Sequence, residues 1–422
     1  MRPAAAPGID AAARAAERVA RESYGRLVAL LAWQWRDLAA AEDALGDAFA
    51  AALRTWPAQG LPDSPEAWLM AAARHRLLHQ ARHTRLTLDP AVTALFEGEG
   101  DAAAPAAEAV PDARLRLMFV CAHPALPENV RAPLMLQAVL GLEAQAIASA
   151  FLVSPAAMAQ RLVRAKARIR ETGLRFDPPE AAELPARLAA VLDAIYGAYT
   201  LGRRDLPSDL PAHDLREEAV FLARLVTALQ PDQAEAWGLL ALLLHAQARR
   251  AAQFDAAGRF VPLAAQDPAA WDADLALQAE QALLTAARLR QPGPFQLEAA
   301  IQSAHAQRRA TGRTPWAGIA QLYGLLVAHH PSLGARVGQA VAVAEAGDPA
   351  AALALLDGLP DAAVQAYAPY WVARAHVLKQ AGAPGWEAAT QRAIGLTDDP
   401  RLRDFLAQGL QPPPPGTQRS PA

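Results

Sequence analysis

Cysteine is almost absent from these 422 residues: Cys121 stands alone, which excludes an internal disulfide. Lysine is nearly as scarce, with only Lys166 and Lys379; arginine supplies the remaining positive charge, which reads as genome composition rather than a functional choice. No uncharged apolar run reaches the roughly 18 residues that would span a membrane. The N-terminal MRPAAAPGID lacks the apolar core of a signal peptide. A cytoplasmic chain with no membrane contact is the expectation. There is no Gly-rich phosphate loop, no GxSxG and no HExxH, so no catalytic residue and no cofactor are expected. Cys121-Ala122-His123 cannot make a metal site without a third ligand, and His329-His330 before a proline reads as a helix end, so no metal is expected. A formal net charge of −3 leaves room only for a local polyanion-binding surface.

What is present is apolar and alanine-rich: 53% of residues are hydrophobic. That composition predicts a sizeable core and an all-α fold. The most informative stretch is Glu143–Arg170, EAQAIASAFLVSPAAMAQRLVRAKARIR. Ala146, Ile147 and Ala150 share a helical face, and Phe151-Leu152-Val153 breaks the pattern. Ser154 then stands at an N-cap position with Pro155 at the first helical position, where a missing N–H costs nothing. Met158, Leu162, Ala165 and Ile169 form an apolar stripe, opposite Ala157, Gln160, Arg161, Arg164 and Arg168. A helix-turn-helix with a basic, Gln-bearing second helix suits a major groove, where arginine contacts phosphate or guanine and glutamine reads a base edge. The plainer reading is an amphipathic helix with a solvated basic face.

The N-terminal region predicts three helices, at about 13–35, 38–55 and from Ser64-Pro65 onward. Glu42, Asp43 and Asp47 fall on the outer face of the second. The third carries Trp68, Leu69, Ala72 and Leu77 on its apolar face and ends in RHRLLHQARHTR, with His75, His79 and His83 at helical spacing. Residues 87–111 read as an acidic linker. Residues 112–176 read as a compact four-helix unit, with Phe176-Asp177-Pro178-Pro179 as a boundary and a further helical domain over 180–410. Near its end Ala346-Gly347-Asp348-Pro349 recurs 35 residues later as Ala381-Gly382-Ala383-Pro384, each between helical segments, a period close to that of tetratricopeptide pairs.

In order and spacing, AWLMAAARHRLL, LRLMFVCAHPALP and AIASAFLVSPAAMAQRLVRAKARIRETGLRF resemble extracytoplasmic-function-type RNA polymerase sigma factors of the sigma-70 superfamily. The long C-terminal region is similar to that of the subgroup with a tetratricopeptide-like extension. The resemblance implies a sigma region 2-like domain over 13–86 and a sigma region 4-like helix-turn-helix domain over 112–176. It implies core RNA polymerase and promoter DNA as partners, with a protein or peptide regulator for the C-terminal domain. Glu42, Asp43 and Asp47 match the polymerase-docking helix. Arg74, His75, Arg76, His79 and Arg82 match the helix that captures the melted minus-ten strand. Ser154, Ala157, Gln160, Arg161, Arg164 and Arg168 match the reader of the minus-thirty-five element. The sequence departs from the family at His79 and Gln80, which weakens the positive charge of the third helix, and at Gly46. The subgroup's Asp-Gly-Gly-Arg turn becomes Asp255-Ala256-Ala257-Gly258-Arg259, with one glycine retained. The competing expectation is a helical-repeat scaffold or a DNA-binding regulator that does not bind core polymerase.

Overall fold

The computed structural model describes residues 7–86, 112–151, 153–172, 180, 182–202 and 215–410; side chains are described for these except at 7–10, 21–22 and 82–86. The expected linker, 87–111, and the Phe176–Pro179 junction lie outside the described residues. The described chain is all-α, with one isolated β-bridge between Phe254 and Phe260. It divides into two compact units, Met1–Leu229 and Gln230–Ala422.

The first unit opens with α1 (Pro7–Trp35), α2 (Leu38–Gln59) and α3 (Pro65–Leu86). The Asp37 carboxylate accepts from Ala40 N at 3.0 Å and fixes the start of α2. Pro57 does not end that helix as its type suggests: the Gly60 N–H still reaches Trp56 O at 2.9 Å, and Gly60 turns the chain out at φ 85. Leu27, Leu31, Ala41, Leu45, Leu69, Ala73 and Leu77 are buried between the three helices. Trp56 and Trp68 meet edge to face at 5.5 Å between centroids. Glu66 joins α3 to α1 by accepting from Ser23 Oγ and Arg26 Nη2.

Next come α4 (Ala113–Cys121), α5 (Glu128–Leu140), α6 (Ala144–Ala150) and α7 (Pro155–Thr172). Asp112 caps α4 by accepting from Arg114 N at 2.8 Å, and Gly141 ends α5 in the left-handed region at φ 66. Pro133 sits inside α5 and is buried. The unit continues through α8 (Leu184–Leu201) and α9 (Leu215–Leu229), past the boundary expected at 176–180. The reason is packing. Helix α8 is buried on most of its circumference, including Leu188, Val191, Leu192 and Ile195. Arg187, 5% exposed, donates to Phe119 O at 3.1 Å and to Glu183 Oε2 at 2.9 Å. Arg114 donates to Glu218 of α9 at 2.5 Å and lies over the Phe221 ring.

The second unit consists of α10 (Ala234–Ala248), α11 (Ala273–Arg288), α12 (Pro294–Ala306), α13 (Trp316–His329), α14 (Leu333–Glu345), α15 (Pro349–Asp357), α16 (Ala368–Gln380), α17 (Trp386–Leu396) and α18 (Pro400–Gln408), with short helical turns between some of them. Glu235 on α10 caps α12 from a distance, accepting from Phe295 N at 2.9 Å and Gln296 N at 3.1 Å. The repeat read in the sequence has a backbone counterpart. Ala346 N, Gly347 N and Asp348 N donate to Ala342 O, Ala344 O and Val343 O; Ala381 N, Gly382 N and Ala383 N donate to Val377 O, Lys379 O and Leu378 O, the same pattern. Gly347 and Gly382 hold φ of 109 and 63 at these turns. The Asp255–Arg259 turn is closed by its own ends: Asp255 accepts from Ala257 N and Arg259 N, both at 2.9 Å, and from Arg259 Nε at 2.8 Å. Only Gly258 needs a positive φ there, 75, so Ala256 and Ala257 fit without strain.

Candidate nucleic-acid interface

Helices α6 and α7 meet at 109°, as a helix-turn-helix requires. Ser154 Oγ accepts from Ala157 N at 3.3 Å, satisfying one of the first-turn donors of α7. The apolar stripe seats the helix: Met158 is 0% exposed and Leu162, Ala165 and Ile169 are 2%, 4% and 2% exposed. Burying Met158, Leu162 and Ile169 stabilises that seating by about 1.5–3 kcal/mol each. The opposite face is open. Ser154, Gln160, Arg164 and Arg168 are exposed, while Ala157 and Arg161 are half-buried. Arg164 donates through Nε to Gln160 O at 3.3 Å and through Nη2 to Gln160 Oε1 at 3.4 Å, so the two long side chains are aligned before any ligand arrives. Val163, 68% exposed, borders this face and offers a methyl-sized apolar contact of the kind a thymine methyl takes. Sequence reasoning passed over it because a valine on a helix reads as core.

On α3 the buried line is Leu69, Ala73 and Leu77, and Arg74, His75, Arg76 and His79 are exposed. Leu78 stands among them at 46% exposure. The side chain of Arg82 lies outside those described. Arg76 Nε pairs with Asp47 Oδ2 of α2 at 2.8 Å. The acids of α2 do not form one solvent-facing set. Asp43 and Asp47 are exposed, whereas Glu42 is turned away and accepts from Lys166 Nζ of α7 at 2.5 Å, with side-chain exposures of 11% and 19%. The expectation that Glu42 lies on the outer face is therefore corrected. Buried Ala41 and Leu45 orient α2, and the position next to them faces α7, where a cation is available 124 residues away in sequence. Burial pushes the Glu42 carboxyl above the usual carboxylate range, and Lys166 offsets only part of that. Its second oxygen, Oε1, is buried with no hydrogen-bond partner among the described residues. Lys166 stood out in the sequence only for the scarcity of lysine, and Gly25 of α1, where an added Cβ would sit 1.9 Å from Val139 O of α5, was not singled out. A glycine in the middle of a long helix was the available signal for Gly25.

Among the described residues there is no cluster of three or more groups able to hold a metal ion. No single described helix is long and apolar enough to cross a membrane.

Residues 116–169, from within α4 to within α7, match the family model described as Sigma-70, region 4. Residues 187–287, from within α8 to within α11, match a family of unknown function, DUF6596. The chain is 39% identical over 384 residues to the uncharacterized protein R00370 of Rhizobium meliloti (strain 1021), covering 89% of this chain and 90% of that one. It belongs to the family of that protein. No solved structure matches it.

Proposed function

We propose that this protein is an alternative sigma factor: it binds core RNA polymerase and directs it to promoters, and its C-terminal helices regulate or complete that activity. The observation that carries the reading is α7, a helix seated by Met158, Leu162, Ala165 and Ile169 with Gln160, Arg164 and Arg168 in the open, inside a region-4-type domain. In this reading Arg161, Arg164 and Gln160 contact the upstream element, with Ser154, Ala157 and Arg168 alongside. Arg74, His75, Arg76, His79 and Arg82 line the melted strand, where cations track the backbone and exposed Leu78 offers apolar surface to an unstacked base. Asp43 and Asp47, joined by Glu42 once it is freed, meet a basic surface of the polymerase. The finer assignment is to the extracytoplasmic-function type with a tetratricopeptide-like extension, acting in the cytoplasm. The duplicated turns at Gly347 and Gly382 support the repeat.

Run-off transcription with core polymerase tests the proposal, using the full chain and a fragment ending at residue 229. Promoter-specific transcripts from the full chain are expected; none at any sigma concentration, with DNA binding retained, would overturn it. A second reading has its own support: a DNA-binding regulator that does not engage polymerase. It draws on Glu42 being taken up by Lys166 and Asp47 by Arg76, which among the described side chains leaves Asp43 as the acid of that face outside an ion pair with α3 or α7. Retention of core enzyme by the tagged full chain separates the two readings.

A further inference from the structure

Helix α11 (Ala273–Arg288) has two unlike sides. Ala279, Ala282 and Ala286 are buried, and that side packs mainly on α10. The opposite side carries Asp274, Leu277, Gln281, Leu284 and Arg288, all exposed. Their alternating spacing of 3 and 4 residues keeps them on one narrow stripe. Leu277 and Leu284 are 58% and 57% exposed, the most exposed large apolar side chains described in the second unit; Leu325 of α13 and Leu355 of α15 follow at 50% and 39%. A lone exposed leucine needs no explanation, but a pair seven residues apart on one helix face does. Neither Asp274 nor Arg288 makes a side-chain hydrogen bond or ion pair among the described residues.

We propose that this stripe is a self-association surface, through which two copies of the chain pair their α11 helices antiparallel about Gln281. The inference goes beyond the sigma-factor reading and does not depend on it. What points to a second copy is the charge pattern. An acid closes the stripe at its N-terminal end and a base at its C-terminal end, with the two leucines between them. Asp274 and Arg288 each stand seven residues from Gln281, so a two-fold axis there sets Asp274 of one copy beside Arg288 of the other, twice. The same axis brings Leu277 of each copy against Leu284 of the other. Parallel pairing is disfavoured, because it sets Asp274 on Asp274 and Arg288 on Arg288. The end charges also suit the dipole of their own helix, but that gives no reason for leucine at 277 and 284. One helix face falls short of the roughly 800 Å² per partner of a standard interface, so dissociation in the range of about 10–100 µM is expected.

The test is sedimentation velocity of the full chain over about 1–300 µM, joined to cysteine cross-linking. Concentration-dependent dimerisation is expected. Leu277→Gln with Leu284→Gln is expected to weaken it by about 10-fold or more. Asp274→Arg alone and Arg288→Asp alone are each expected to stay monomeric, and their equimolar mixture to dimerise, because every end charge then meets its opposite. Gln281→Cys is expected to give a disulfide-linked dimer with added oxidant. Ala273→Cys is not, since its two copies stand about 24 Å apart along an antiparallel pair. Cys121, 0% exposed, is shielded from both reactions. A full chain that stays monomeric throughout overturns the proposal and leaves the stripe to a different partner. A dimer that neither the leucine nor the charge variants weaken overturns the assignment to α11. Cross-linking of Ala273→Cys as readily as Gln281→Cys, or a mixture no more associated than its components, overturns the antiparallel pairing. Circular dichroism of each variant shows that it is folded.

Discussion

The two compact units are built from the same alanine-rich helices, yet they place their polar groups differently. The first sets charges at helix–helix boundaries: Glu42 with Lys166, Arg114 with Glu218, Arg187 with Glu183 and the Phe119 carbonyl. The second buries neutral imidazoles, His245 and His305, and puts ion pairs such as Asp357–Arg374 and Asp255–Arg259 nearer its surface. The consequence is a division of sensitivities. A unit held by charged boundaries responds to charged partners, because a new counter-ion competes directly with an internal one. A unit that holds neutral histidines away from water responds to acid, because protonating them costs desolvation and places a second positive charge near Arg249.

The strongest way to break this contrast is to remove the boundary. A fragment ending at residue 176 leaves Phe119 O and the α5 surface without α8 and Arg187. It is expected to lose cooperative unfolding, by calorimetry or urea titration, while a fragment ending at residue 229 keeps it. Equal cooperativity in both would show that α8 and α9 do not belong to the first unit's core.

Acid is the next lever. Burial, joined by the Arg249 guanidinium, lowers His245 to about 4 and His305 to about 4. The unfolded chain takes up protons near pH 6.5 and the folded chain does not until about pH 4. The stability these groups contribute is thus complete above pH 6.5 and lost as pH falls from 6.5 toward 4, by at most about 3 kcal/mol for each histidine. Urea titration of the full chain at pH 7.5 and 5 measures it, and His245→Gln should flatten the dependence. A second unit as stable at pH 5 as at 7.5 would remove this half of the comparison.

The charged face of the first unit sharpens it further. Arg161→Ala or Arg164→Ala is expected to weaken promoter binding by about 1–3 kcal/mol, read by titration of a labelled duplex. Unchanged affinity in both would unseat α7 as the reading helix. The smallest effect is expected from Arg76→Ala. Its partner Asp47 is exposed, so the pair contributes about 0–1 kcal/mol to folding, and thermal melting should barely move.

The candidate interface was largely legible in sequence where its determinants are local. Ser154-Pro155 starts α7, and the four-residue stripe from Met158 to Ile169 sets its face, since cap chemistry and helical periodicity act within a few residues. What stayed hidden was partner choice. The helical wheel puts Glu42 near Asp43 and Asp47, but only the neighbouring α7 decides that Glu42 turns inward and that Asp47 is held by Arg76.

The sequence by itself determined that this chain is all-α, where α7 begins, that α7 carries a groove-sized basic face, and that a helical turn recurs at Gly347 and Gly382. These follow from composition, capping residues and spacing, which each segment carries alone. The tertiary structure decided the extent of the first unit to Leu229, the interlock of α2 with α7, the backbone contact at Gly25 and the neutral state of His245 and His305. Each of those depends on burial and on the charge of a side chain far away in the chain, and neither quantity exists until the helices have packed.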